Sequence, residues 1–151
     1  MTNGKRNRVA GNNLERELVK AFAPFYPHVA TSRNVSRVRD AEKVDLAHDD
    51  ELKWGRFPYN VQAKNYARAV KYPKILSELP RIPGVINVVM HKQTQKVGQR
   101  FMPVGTFAIL PQEDFMKMVQ WRLGYEILRS MLDDRGEFDT DSFEQLKAIG
   151  L

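Results

Sequence analysis

Phe57-Pro58-Tyr59-Asn60-Val61-Gln62-Ala63-Lys64 reads as a β-strand, and Val44-Asp45-Leu46-Ala47 ahead of it reads as another. Side chains alternate across a strand, so Val61 and Ala63 face one side while Gln62 and Lys64 face the other. His48-Asp49-Asp50 supplies a turn between the segments, which makes them hairpin partners in this reading. Adjacent strands lie about 4.8 Å apart, so Asp45 can converge with Gln62 and Lys64. One carboxylate, one amide and one ammonium then share a face of a sheet.

Upstream, Leu14, Leu18, Ala21 and Phe22 recur at helical spacing from Asn12 to Phe22, and Pro24 ends that helix. Glu15 lies at the edge of its apolar stripe, where it can reach over the sheet. Residues 1–10 carry Lys5, Arg6 and Arg8 without periodicity and read as a mobile basic arm. Val29 to Ser32 fits a short strand, and Arg33 to Lys43 a polar, basic loop. Downstream, Pro73 to Leu79 fits a short helix with proline in its first turn. Val85 to Met90 is nearly all apolar, as in a strand buried on both faces. Gln93 to Gly98 reads as a polar turn, and Arg100 to Met102 and Thr106 to Leu110 as strands. Gln112 to Leu132 is a long helical pattern with Phe115, Met118, Val119, Leu123, Ile127 and Met131 as its packing face. Asp141 to Ala148 fits a last short helix. This order describes an α/β chain with a mixed central sheet and flanking helices. The expected organisation is the arm at 1–10, a core at 11–110, and a helical extension at 111–151 packed on the core or on a dimer interface.

The chain has 151 residues, a net charge of +6 and no cysteine. Absence of cysteine excludes disulfides and thiolate zinc sites, and His28, His48 and His91 lack zinc-ligand spacing. His91, after an apolar strand, reads as a packed or capping residue, and Trp54 and Phe57 as core. No apolar run approaches the roughly 18 residues needed to span a membrane, and no secretory signal is visible. A cytoplasmic protein is expected. Charge is uneven: residues 1–110 carry +10 and residues 111–151 carry −4. A basic body of this kind fits a polyanionic partner. Arg33, Arg37, Arg39 and Lys43 are expected to contact phosphates, with Lys5, Arg6 and Arg8 in a groove or along the backbone.

Hydrolysis of a phosphodiester requires a divalent cation held by hard oxygen ligands, and a neighbouring cation to stabilise developing charge. Glu15, Asp45, Gln62 and Lys64 are residues of the required kinds. Val44-Asp45-Leu46 followed by Gln62-Ala63-Lys64 resembles the core of PD-(D/E)XK nucleases. Gly11-x-x-x-Glu15-Arg16-Glu17-Leu18 is similar to the opening helix of archaeal-type Holliday junction resolvases, which also carry a Ser or Arg segment before the Asp, as Ser32-Arg33 do here. The resemblance runs from about Lys5 to Lys64, more loosely from Gly84 to Leu110, and not beyond.

The resemblance implies a restriction-endonuclease-like fold and an endonuclease that resolves four-way DNA junctions by paired nicks. Magnesium, which manganese can replace, would be held by Glu15, Asp45 and Gln62. Lys64 would be the catalytic lysine, and Arg16 and Ser32 would lie near the scissile phosphate. Family members act as homodimers on branched double-stranded DNA, cut strands of like polarity and leave 5′-phosphates. The chain departs from the pattern at Gln62, where the family motif usually has an acid; Glu42 or Asp40 is a substitute source of charge. Three alternatives stay open: a nuclease of this fold acting as a restriction or repair enzyme, a DNA-binding module with a decayed site, and an RNA-directed nuclease. A phage replication system would suit so compact an enzyme.

Overall fold

The computed structural model describes residues 3–133 and 140–148. The chain divides into two units, Met1–Pro111 and Gln112–Leu151. It is a mixed α/β protein.

The first unit opens with α1 (Asn3–Phe22). The segment expected to be an irregular arm is therefore helical from Asn3 onward. Nothing before Gly11 stops a helix, and extending an existing helix adds one hydrogen bond per residue ordered, so the turn propagates backward from the packed half. Leu14 and Leu18 are the buried anchors of that half. They pack with Val29, Leu46, Phe57, Val61 and Val88. Phe22, Tyr26 and Tyr59 close around Phe57, with edge-on contacts to Phe57 from Phe22 at 5.3 Å and from Tyr26 at 5.2 Å. Burying each large side chain of this cluster contributes about 1.5–3 kcal/mol.

Two sheets follow. β1 (Val29–Thr31) pairs antiparallel with β2 (Leu46–His48). The connection is not an open loop: Ser32–Val35 forms α2 and Arg37–Ala41 forms α3. Ser36 caps α3 by accepting the Arg39 N–H. Lys43 takes a positive φ of 61° to leave α3. The short α4 (Glu51–Trp54), capped by Asp50, separates β2 from β3 (Tyr59–Tyr66).

β3 is not the hairpin partner of β2. It pairs in parallel with β4 (Ile86–Val97), and β4 pairs antiparallel with β5 (Arg100–Ile109). A parallel pair needs a crossover, which α5 (Tyr72–Glu78) occupies. β4 begins fully buried, with Ile86, Asn87, Val88 and Val89 all inside. The expected polar turn at Gln93–Gly98 is instead the outer half of β4, and the turn is confined to Gly98-Gln99. The two strands expected beyond it form one strand, interrupted by a bulge: Gln93 lies opposite Gly105 and Thr94 opposite Pro103, which leaves Val104 unmatched.

The second unit contains α6 (Gln112–Asp133) and α7 (Thr140–Ala148). Of the expected packing face of α6, Met131 is buried and Ile127 half-buried, while Phe115, Met118, Val119 and Leu123 are exposed. No helix among the described residues is long and apolar enough to cross a membrane.

Candidate active site

Asp45 lies between α3 and β2, and its backbone joins the two sheets. Its N–H donates to Val61 O at 2.8 Å, and its carbonyl accepts from Ser32 N at 2.9 Å. Its Oδ2 accepts both Ala63 N–H and Gln62 Nε2–H, each at 2.6 Å. The expected convergence of Asp45 with the Gln62-Ala63-Lys64 triplet is therefore present, made by side-chain bonds rather than by a strand ladder. Burial raises the Asp45 pKa above its ordinary 3.8; the Ala63 N–H, Lys64, Gln62 and Arg33 oppose that rise.

Glu15 reaches the same place from α1. It is buried, and Arg33 Nη2 donates to its Oε1 while Arg33 Nη1 donates to Asn12 Oδ1. Burial raises the Glu15 pKa above 4.5, the charge on Asp45 raises it further, and Arg33 opposes both. The two carboxylates thus sense each other. Lys64 is half-buried on β3, within electrostatic range of Asp45, and its ammonium makes no hydrogen bond to the described residues. Ser32 is buried beside Asp45, and Arg16 is exposed on another face of α1.

Hard-cation ligation requires uncommitted oxygens. Asp45 uses only Oδ2, Glu15 only Oε1, and Gln62 only its amide nitrogen in bonds to described residues. Asp45 Oδ1, Glu15 Oε2 and Gln62 Oε1 are left over, two of them on carboxylates that repel each other. Oxygens of this kind are the donors that magnesium and manganese take. No group of three or more His, Asp or Glu that could hold a metal occurs among the described residues.

Glu42, named as a substitute source of charge, is bonded to two arginines through one oxygen. It accepts from Arg39 Nη1 at 2.8 Å and Arg56 Nη2 at 3.3 Å. Burial alone would raise its pKa, but these two guanidinium groups hold it below the usual value. Asp40 is exposed and acts on Glu15 only through its charge.

The cations ahead of Asp45 have separate fates. Arg39 bonds both carboxylate oxygens of Glu51, each at 2.9 Å, as well as Glu42, and these bonds raise its pKa further. Lys43 Nζ donates to Glu78 at 2.6 Å. Arg33 faces Glu15. Arg37 alone of the run is exposed with no such partner among the described residues, a condition it shares with Arg8 and Arg16. The side chains of Lys5 and Arg6 lie outside the described residues. Phe57 is core as expected, whereas Trp54 is exposed and stacks on His28 at 3.7 Å.

His91 is packed, as expected, but sequence reading missed its partners. It is buried opposite Lys64 in the β3–β4 ladder. Its Nε2 lies 3.0 Å from Tyr66 O and its Nδ1 2.6 Å from Tyr72 Oη. A carbonyl only accepts, so Nε2 carries the proton and Nδ1 accepts from the tyrosine. The apolar run before His91 offered no signal of this, because both partners come from other elements.

No protein-family model, curated protein or solved structure matches this chain.

Proposed function

We propose that the chain is a metal-dependent DNA endonuclease with a restriction-endonuclease-like core, acting on four-way junctions as a homodimer. One observation carries the reading: Asp45 bonds Gln62 and the Ala63 N–H, the charge of Asp45 acts on Glu15, and among the described residues Glu15, Asp45 and Gln62 each keep an oxygen free while the Lys64 ammonium makes no bond. Bound there, magnesium would activate water and neutralise charge on the phosphate. The protein does the rest. Glu15 and Asp45 supply the negative charge that holds the cation, and Gln62 adds a neutral oxygen. The Ala63 N–H fixes the Asp45 carboxylate and leaves Oδ1 turned out. Lys64 stands where charge develops on the attacked phosphate, and a positioned cation there stabilises the transition state. Arg8, Arg16 and Arg37 supply sequence-independent attraction for backbone phosphates.

The test is cleavage of end-labelled four-way, flap and linear duplexes with and without magnesium, alongside Asp45→Ala and Lys64→Ala. Magnesium-dependent paired nicks on the junction, lost in both variants, are expected. Equal cutting of linear duplex would remove the junction specificity and leave a restriction- or repair-type nuclease. The Arg33–Glu15 pair and the neutral Gln62 favour a second reading, a DNA-binding module without catalysis. Binding by parent and variants with no cutting of any substrate would establish that reading instead.

A further inference from the structure

The basic segment ahead of Asp45 is largely neutralised, because Arg33, Arg39 and Lys43 each hold a carboxylate. A denser group of cations lies on the other side of Asp45 in the chain. From Lys64 to Ser77 there are four cations, Lys64, Arg68, Lys71 and Lys74, and no acid. The side chains of Arg68, Lys71 and Lys74 are exposed and have no hydrogen bond or ion pair among the described residues.

This stretch is held in place. It leaves β3 at Tyr66 and enters α5 at Tyr72, and the buried His91 ring bonds both ends, Tyr66 O at 3.0 Å and Tyr72 Oη at 2.6 Å. The loop turns on itself through Tyr72 N–H to Val70 O at 2.9 Å. It also adjoins the candidate site. His91 is the register partner of Lys64, and Lys64, Lys74 and Lys43 all act on the single carboxylate of Glu78. Lys64 therefore acts by charge on both Asp45 and Glu78, and Glu78 also accepts from Lys43.

We infer that the Tyr66–Tyr72 loop and the first turn of α5 form a phosphate-binding wall beside Lys64, in which Arg68, Lys71 and Lys74 hold the DNA backbone and His91 is the positioning residue. The inference rests on the nuclease reading for its substrate, duplex DNA. An anchored loop presents its cations without first being ordered, so less binding energy is lost on association. Each phosphate neutralised contributes about 0.9 to the slope of log affinity against log salt.

The experiment compares the full chain with R68Q/K71Q/K74Q and with the charge-matched control K20Q/K96Q/R100Q. Binding of a fluorescent four-way junction, a linear duplex and a single-stranded RNA is measured by anisotropy between 50 and 200 mM salt, in EDTA so that no cutting occurs. The wall variant is expected to lose about 2 to 3 from the salt slope on duplex substrates, and the control less than about 1. Y72F keeps the ring and the cations but removes the bond to His91. It is expected to bind about five-fold more weakly at fixed salt, the equivalent of one net hydrogen bond, with the slope unchanged. Equal slopes in the wall and control variants, a loss confined to RNA, or unaltered affinity in Y72F would overturn the inference. Cleavage by the parent is scored separately in magnesium. A parent that binds with the wall-dependent slope but never cuts removes the nuclease reading and leaves the wall standing. A parent that cuts while the wall variant matches the control removes the wall alone.

Discussion

Asp45→Asn is expected to stabilise the metal-free protein while abolishing its response to magnesium. Both hydrogen bonds to the Asp45 side chain end on the same oxygen, Oδ2. The single carbonyl oxygen of asparagine can take that place and keep the Gln62 and Ala63 donors. Its NH2 then stands where Oδ1 was, presenting a donor to the position a cation requires. Burial raises the Asp45 pKa, and the Asp45 charge helps raise that of Glu15. A carboxyl whose folded pKa lies above its unfolded value binds more protons when folded. Stability therefore falls as pH rises through the folded pKa, and the penalty is absent below the ordinary 3.8 of Asp45. Removing the charge relieves that penalty at neutral pH and not at pH 3. Relief of such functional strain commonly gains about 0.5–2 kcal/mol, and for a chain of this size about 1 kcal/mol moves Tm by about 2–4 °C. Magnesium at ten times its Kd stabilises the parent by about 1.4 kcal/mol, a further rise of about 3–5 °C. Calorimetry at pH 3 and pH 8, in EDTA and in magnesium, reads all four conditions. The reasoning is refuted if Asp45→Asn melts below the parent at pH 8 in EDTA, or if it keeps the parent's magnesium shift.

Other substitutions probe neighbouring links. Gln62→Glu places a third carboxylate against Asp45 and replaces a donor with a repelling charge; the metal-free Tm should fall by about 2–4 °C while calorimetric magnesium affinity rises. Lys64→Met should lower single-turnover junction cleavage by about 10²- to 10³-fold, the scale of losing one preorganised charge-stabilising group, with junction affinity changed less than three-fold, about one phosphate contact. Arg39→Ala strips Glu42 and Glu51 of their main partner, and urea unfolding should show a loss of about 1–3 kcal/mol without a specific change in the salt slope of DNA binding. Phe57→Ala should cost about 3–5 kcal/mol by the same measurement, because a buried ring surrounded by Phe22, Tyr26 and Tyr59 leaves a cavity that rigid neighbours fill poorly.

Local patterns were legible where one periodicity ran uninterrupted. The Leu14–Leu18 stripe gave the buried half of α1, and the apolar run Val85–Met90 gave the buried start of β4. The strand pattern around Gln62 and Lys64 gave β3. Signals failed where tertiary pairing overrode composition. Polar residues in Gln93–Val97 looked like a turn, yet they continue β4 because β5 supplies their hydrogen bonds. Arg33–Lys43 looked like a loop, yet it folds into two short helices, the second capped by Ser36 and flanked by the Arg39 ion pairs.

The sequence by itself determined which residue types could do chemistry here: Glu15 on a helix, Asp45 before one strand, and Gln62 and Lys64 on one face of another. Alternation and helical spacing are local, so they survive without knowledge of the fold. Only the tertiary structure decided that β2 pairs with β1, that β3 runs parallel to β4, and that Asp45 bridges the sheets through Ala63 and Gln62. Only the tertiary structure, likewise, separated the neutralised cations, Arg33, Arg39 and Lys43, from Arg68, Lys71 and Lys74, whose side chains have no ion pair among the described residues. The partners of a charge are chosen by approach in space: Glu15 reaches Arg33 across 18 positions of chain, and Glu78 reaches Lys43 across 35.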